Sequence, residues 1–105
     1  MPQFDVHRNT GTTKAGFPLL VVVQSSLFLA RDRRAVIPMA PVDRVPQPDI
    51  RLNPAFMILG QPYLLATQGI TNVVKGQLGP VVASLREESE RIIDAIDWLI
   101  NRGWD

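Results

Sequence analysis

At Ser84 the hydrophobic period of the chain changes, and that change limits what the sequence can fold into. Before it, apolar residues alternate with polar ones or come in short runs. Phe4 and Val6 alternate with Gln3, Asp5 and His7, the pattern of a half-buried first strand. Leu19 to Val23 is continuously apolar and rich in β-branched valine, as in a buried strand. Phe56 to Leu59 and Tyr63 to Thr67 flank Gly60-Gln61-Pro62, a hairpin signal in which Gly60 is free to take a positive φ. Ile70 to Val74 forms a further short strand between two glycines. After Ser84, apolar residues recur at Ile92, Ile93, Ile96, Leu99 and Ile100, which is helical spacing. Ser84 with Glu87 three residues on matches a capping box, and Arg102-Gly103 is an end signal. The spacing predicts one helix over Leu85–Arg102, following an all-β body.

The segments between are turns. Asn9 to Thr13 is a polar turn with Gly11 as its flexible point. Gly76 to Pro80 reads as a turn leading to the helix. Pro41, Pro46, Pro48 and Pro54 mark a loop with little regular structure. Pro38 lacks an N–H and is expected at a sheet edge or a bulge.

Two tryptophans stand apart from the core pattern. Projected at about 100° per residue, Trp98 falls opposite the isoleucines, among Glu90, Arg91, Asp94 and Arg102. A large aromatic there either packs locally or against a second copy, or offers a ring to a partner. Trp104 follows Gly103, one residue from the last. It either folds back on the domain or meets a partner.

Catalysis finds little support. His7 is the one histidine, and within an alternating strand it is expected at the surface. Asp94 and Asp97 sit one helical turn apart as solubilising charge. No clustered metal ligands and no phosphate-cradling glycine loop occur. Arg31, Arg33 and Arg34, with Asp32 among them, are expected in a solvated loop before a strand. A net charge of +1 argues against a dedicated nucleic-acid surface. The chain has no cysteine, hence no disulfide framework. Met1 to Asp5 lacks the charged-then-apolar run of a signal peptide, and the apolar run Phe17 to Val23 is too short to span a bilayer. The expectation is one cytoplasmic domain over residues 1–105, with no membrane partner, no cofactor and no metal.

The segment Val21 to Pro41 carries more specific information. Val23-Gln24-Ser25 is followed, after seven residues, by Arg33-Arg34-Ala35-Val36-Ile37-Pro38-Met39-Ala40. These two blocks at this spacing closely resemble the CcdB family of toxins. Gly60, Val82-Ala83 and Ala95-Ile96 fit the same pattern further along. The resemblance implies a mainly β fold: a small SH3-like antiparallel β-barrel with an appended small sheet and one C-terminal helix. It implies a homodimer without enzymatic activity, the toxin of a type II toxin–antitoxin module. Such toxins bind the A subunit of DNA gyrase around cleaved DNA and prevent resealing. A CcdA-like antitoxin folds onto the toxin, and operator DNA is bound only by the toxin–antitoxin complex.

In the family, target contacts come from two apolar residues after Val-Gln-Ser and from the end of the helix and tail. The first pair corresponds to Leu27 and Phe28. The tail corresponds to Asp97, Ile100, Asn101, Arg102 and Gly103, with Trp98 and Trp104 as the available rings. The family's tail tryptophan position is occupied by Asn101. Either Trp104 or Trp98 replaces the missing ring, or this chain poisons gyrase weakly or not at all. Two other readings stay open. One is a ribonuclease toxin on the related MazF and Kid type barrel, for which His7, Arg8 and Arg31 to Arg34 are the only candidates. The other is a barrel that binds antitoxin and has lost toxicity.

Overall fold

A computed structural model describes residues 2–25 and 32–101, with the backbone alone at Asn101. Among the described residues, seven strands precede one helix: β1 (Asp5–Asn9), β2 (Leu19–Val22), β3 (Arg33–Pro41), β4 (Ala55–Ile58), β5 (Gln61–Leu65), β6 (Thr71–Val74), β7 (Leu78–Ser84) and α1 (Ser89–Asn101). All pairings are antiparallel and run β4-β5-β3-β2-β1-β7, with β6 also joined to β3. The sheet curls into a half-barrel, and α1 packs into its mouth. The mainly β class with one C-terminal helix is the architecture expected from the sequence.

The curl follows from which face each strand buries. Val6, Leu19, Val21, Ile37, Met39, Phe56, Ile58 and Leu65 point to one side and meet Leu85, Ile92 and Ala95. The helix therefore closes the core with Ile92 and Ala95, both fully buried. On the other face, Leu20, Val22, Val36 and Leu78 form a smaller cluster against Val73. β2 is buried on both faces, which is why its sequence is continuous rather than alternating. Of the helix isoleucines, Ile93 and Ile100 stay exposed, so the buried stripe is narrower than the apolar arc of the sequence.

Pro38 lies neither at an edge nor at a bulge. It pairs with Leu20 in the middle of β3. On its other side, β3 pairs β6 through Arg33 to Val36 and β5 through Met39 to Pro41. The carbonyl of Pro38 accepts the Ala66 N–H at 2.8 Å, so the imino nitrogen faces the gap between β5 and β6. A missing donor is harmless there, because no partner strand stands opposite it.

The turn expected over Gly76 to Pro80 is a short 3-10 turn at Lys75–Gln77 followed at once by β7. β7 is a terminal strand of the sheet, where a proline is tolerated. Its pairing with β1 shifts register on both sides of His7. Gly79 permits that irregularity: a Cβ there would lie 3.0 Å from the Arg8 carbonyl oxygen.

The helix also begins later than its spacing predicts. Leu85 is 4% exposed, and its N–H donates to the Phe4 carbonyl at 2.8 Å. Just past β7, it is still tied to Phe4 and does not open α1. A 3-10 turn over Arg86–Glu88 intervenes before α1. Ser84 Oγ accepts from the Arg86 N–H at 3.3 Å, two residues on rather than three, and no side-chain cap closes that turn. The expected end at Arg102 lies outside the described residues.

The β4–β5 hairpin turns on Leu59-Gly60, with φ of 52° and 80°, and Gln61-Pro62 already belong to β5. Two positive φ values in a two-residue loop are the mark of a type I′ turn, which favours Asn-Gly. Leu59 is 65% exposed, so its side chain offsets little of the left-handed penalty, about 1–2 kcal/mol. Leu59→Asn is expected to stabilise the chain by about 0.5–1 kcal/mol. Thermal melts of the two proteins check this; a lower midpoint for the variant refutes it.

Candidate target-binding end of the helix

The loop after β3 looks irregular in sequence but is tightly held. Asn53 is 5% exposed. Its Nδ2 donates to the Leu65 carbonyl at 2.9 Å and to Gln68 Oε1 at 2.7 Å, while its Oδ1 accepts the Asp49 N–H at 3.1 Å. Asp49 Oδ1 in turn accepts the N–H groups of Arg51 and Leu52. The buried Thr67 hydroxyl donates to the Leu52 carbonyl. An Asx turn of this kind replaces backbone pairing with side-chain pairing. It fixes Arg51 on the outer side of α1.

Two arginines link that side to the body. Arg91 donates to the Ala55 carbonyl at 2.7 Å and to Glu88 at 2.8 Å, and its guanidinium lies 4.3 Å from the Phe56 ring centre. Arg51 lies 4.3 Å from the Trp98 ring centre and 3.9 Å from Asp94 Oδ2. A concavity of about 470 Å³ separates the two, lined by Pro48, Ile50, Arg51, Pro54, Arg91 and Asp94 among others. Trp98 thus projects from the face its spacing predicts, but it is half-buried beneath Arg51. Of the alternatives open for this ring, local packing is what the structure displays.

The last turns of α1 place Asp97 beside Ile100, one turn apart, with Trp98 on the side away from Ile100. Asp97 is exposed and Ile100 is 65% exposed. Asn101 closes the described helix. Leu27, Phe28, Gly103 and Trp104 lie outside the described residues, as does Arg31. The ends of the segment holding Leu27 and Phe28 are tied: Gln24 Oε1 accepts the Ala35 N–H at 3.0 Å, and the Asp32 carbonyl accepts from Lys75. The glutamine of Val-Gln-Ser therefore bonds directly to β3 at the residue after Arg33-Arg34, a physical reason for two blocks at a fixed spacing.

Three polar residues depart from the sequence reading. His7 is not at the surface; it is 2% exposed. Its Nδ1 lies 2.9 Å from the Gly79 carbonyl oxygen, which can only accept, so Nδ1 carries the hydrogen. Nε2 is buried with no hydrogen-bond partner among the described residues. Position 7 faces the second cluster, opposite Val6, because strand side chains alternate. Arg33 and Arg34 lie within β3, not in a solvated loop, paired with Val74 and Val73. Arg33 stays exposed and donates to Asn72 at 2.9 Å, whereas Arg34 is 3% exposed and donates to the Arg33 carbonyl. Strand pairing to β6 draws both into the sheet. Arg51 was missed altogether as a partner of Trp98. The one usable signal was Asp49 and Asn53 flanking it, residue types that close turns on their own backbone.

Among the described residues, no cluster of three or more His, Cys, Asp or Glu side chains could hold a metal, and no helix is long and apolar enough to cross a membrane. A histidine without solvent access and an arginine locked in a strand make a poor acid–base set. The end of α1 is one part of the described surface with exposed apolar and acidic side chains.

The model of the CcdB protein family matches residues 3–102. The chain belongs to the CcdB family. The match spans both sequence blocks, every strand and α1. No curated protein is matched by the chain. Membership implies a gyrase-directed toxin of a toxin–antitoxin system, one that poisons its target rather than catalysing a reaction. The half-barrel with one terminal helix fits that family.

Proposed function

We propose that this chain is the toxin of a type II toxin–antitoxin module that binds the A subunit of DNA gyrase and stabilises the gyrase–DNA cleavage complex. The observation that carries this reading is the family match over residues 3–102. The exposed end of α1, with Asp97 and Ile100, supports it as a surface that offers contacts and no chemistry. In this reading Leu27, Phe28, Asp97, Ile100, Asn101, Gly103 and Trp104 meet gyrase, and Trp98 backs them from within the helix. The toxin acts as a homodimer, the commonest closed arrangement for a small chain. A CcdA-like antitoxin neutralises it, and operator DNA is met only through the complex of the two.

Purified gyrase and supercoiled plasmid test the proposal directly. Adding the protein is expected to yield linear DNA after detergent and protease, with supercoiling inhibited. Degradation of RNA with gyrase cleavage unaffected replaces this reading with the ribonuclease one. Antitoxin binding with neither activity leaves the non-toxic barrel.

A further inference from the structure

Within that functional reading, we infer that Arg51 is a positioning residue for the target-facing end of α1. Three observations converge on it. Its backbone is fixed by the Asp49 carboxylate, at 2.9 Å from the Arg51 nitrogen. The turn that holds it is anchored on the buried Asn53 and Thr67. Its guanidinium reaches α1 at two levels, Asp94 at 3.9 Å and the Trp98 ring at 4.3 Å. Arg91 ties the earlier turns of the same face to Ala55 and Phe56.

The last turns have less core beneath them. Ile92 and Ala95 are fully buried, whereas Ile96 and Leu99 are half-buried and Ile100 is exposed. Helix ends fray where neither packing nor caps hold them. Arg51 supplies the missing restraint from the solvent side, gripping Trp98 one turn before Asn101. The ring of this chain's helix is then a handle for the loop rather than a contact for gyrase.

A cation over a half-buried aromatic near the surface is a modest restraint, equivalent to about a two- to fivefold shift in a local equilibrium. Arg51→Ala is therefore expected to speed amide exchange of Trp98 to Asn101 about two- to fivefold, leaving Ile92 to Ala95 unchanged. Trp98 emission, read in a Trp104→Phe background, is expected to shift to the red. Gyrase affinity, read with the native tail, is expected to fall by the same factor. Arg51→Lys, which keeps a cation over the ring, should recover part of each effect.

Unchanged exchange and emission in Arg51→Ala overturn the inference, as does acceleration spread evenly over α1 and the sheet. So does a loosened helix end with gyrase affinity intact. A native protein that does not bind gyrase overturns the functional reading instead. The exchange pattern then decides separately whether Arg51 holds the helix end.

Discussion

Removal of Gly103-Trp104-Asp105 is expected to abolish gyrase poisoning while the protein stays folded and still binds its antitoxin. The family's tail ring is missing at its usual place, where Asn101 stands, and Trp98 is engaged by Arg51. Trp104 is then the nearest indole left to offer. An indole seated in a target pocket contributes about 2 kcal/mol or more, roughly thirtyfold in affinity. Residues past a helix end seldom add much to stability, so the melting temperature should hardly move. The decisive pair is the truncated chain and Trp98→Ala, compared in the plasmid cleavage assay. A truncated chain that stays fully toxic beside an inactive Trp98→Ala places the functional ring in the helix. If both remain toxic, the tail does not carry target binding.

The largest effect on stability is expected at Phe56. It is 2% exposed, lies in the main core with Ile92 and Ala95, and carries the Arg91 guanidinium on its ring. Truncating a buried Phe costs about 3–5 kcal/mol, against a total of about 5–15 kcal/mol for a domain. Phe56→Ala also leaves Arg91 without its aromatic surface and loosens β4, a terminal strand of only four residues. Urea titration should show a midpoint lowered by that amount of free energy, or no folded baseline at all. A loss below about 1 kcal/mol refutes the placement of this ring in the core.

Where the sequence was legible, local chemistry and tertiary context agreed. Leu19 to Val22 could only be a buried strand. The Gly60 hairpin announced itself through flanking apolar runs. The isoleucines of α1 carried a helical period strong enough to survive the displacement of its start from Leu85 to Ser89. Where the reading went astray, a tertiary partner outweighed the local signal. Gly79 and Pro80 look like a turn until β1 is placed beside them, when the glycine becomes the close approach and the proline an outer-strand residue. Pro38 looks like an edge marker until β3 is seen to change partners opposite it. His7 and Arg34 are polar residues whose burial depends on the curl of the sheet, which no window of sequence contains. Trp98 depended on Arg51, far away along the chain and held there by an Asx turn.

The change of partner along β3 has a consequence for how this chain can vary. β3 is registered at once against β2, β5 and β6. Inserting or deleting one residue within it moves every following side chain to the opposite face. Ile37 and Met39 would exchange places with Pro38 and Ala40, and all three ladders would have to be rebuilt together. Pro38, which has no N–H, would also slide from the gap into a ladder. Length variation among descendants of this sequence should therefore fall in the proline-rich stretch after Pro41, and avoid Arg33 to Pro41. Within β3 itself, change is confined to substitution.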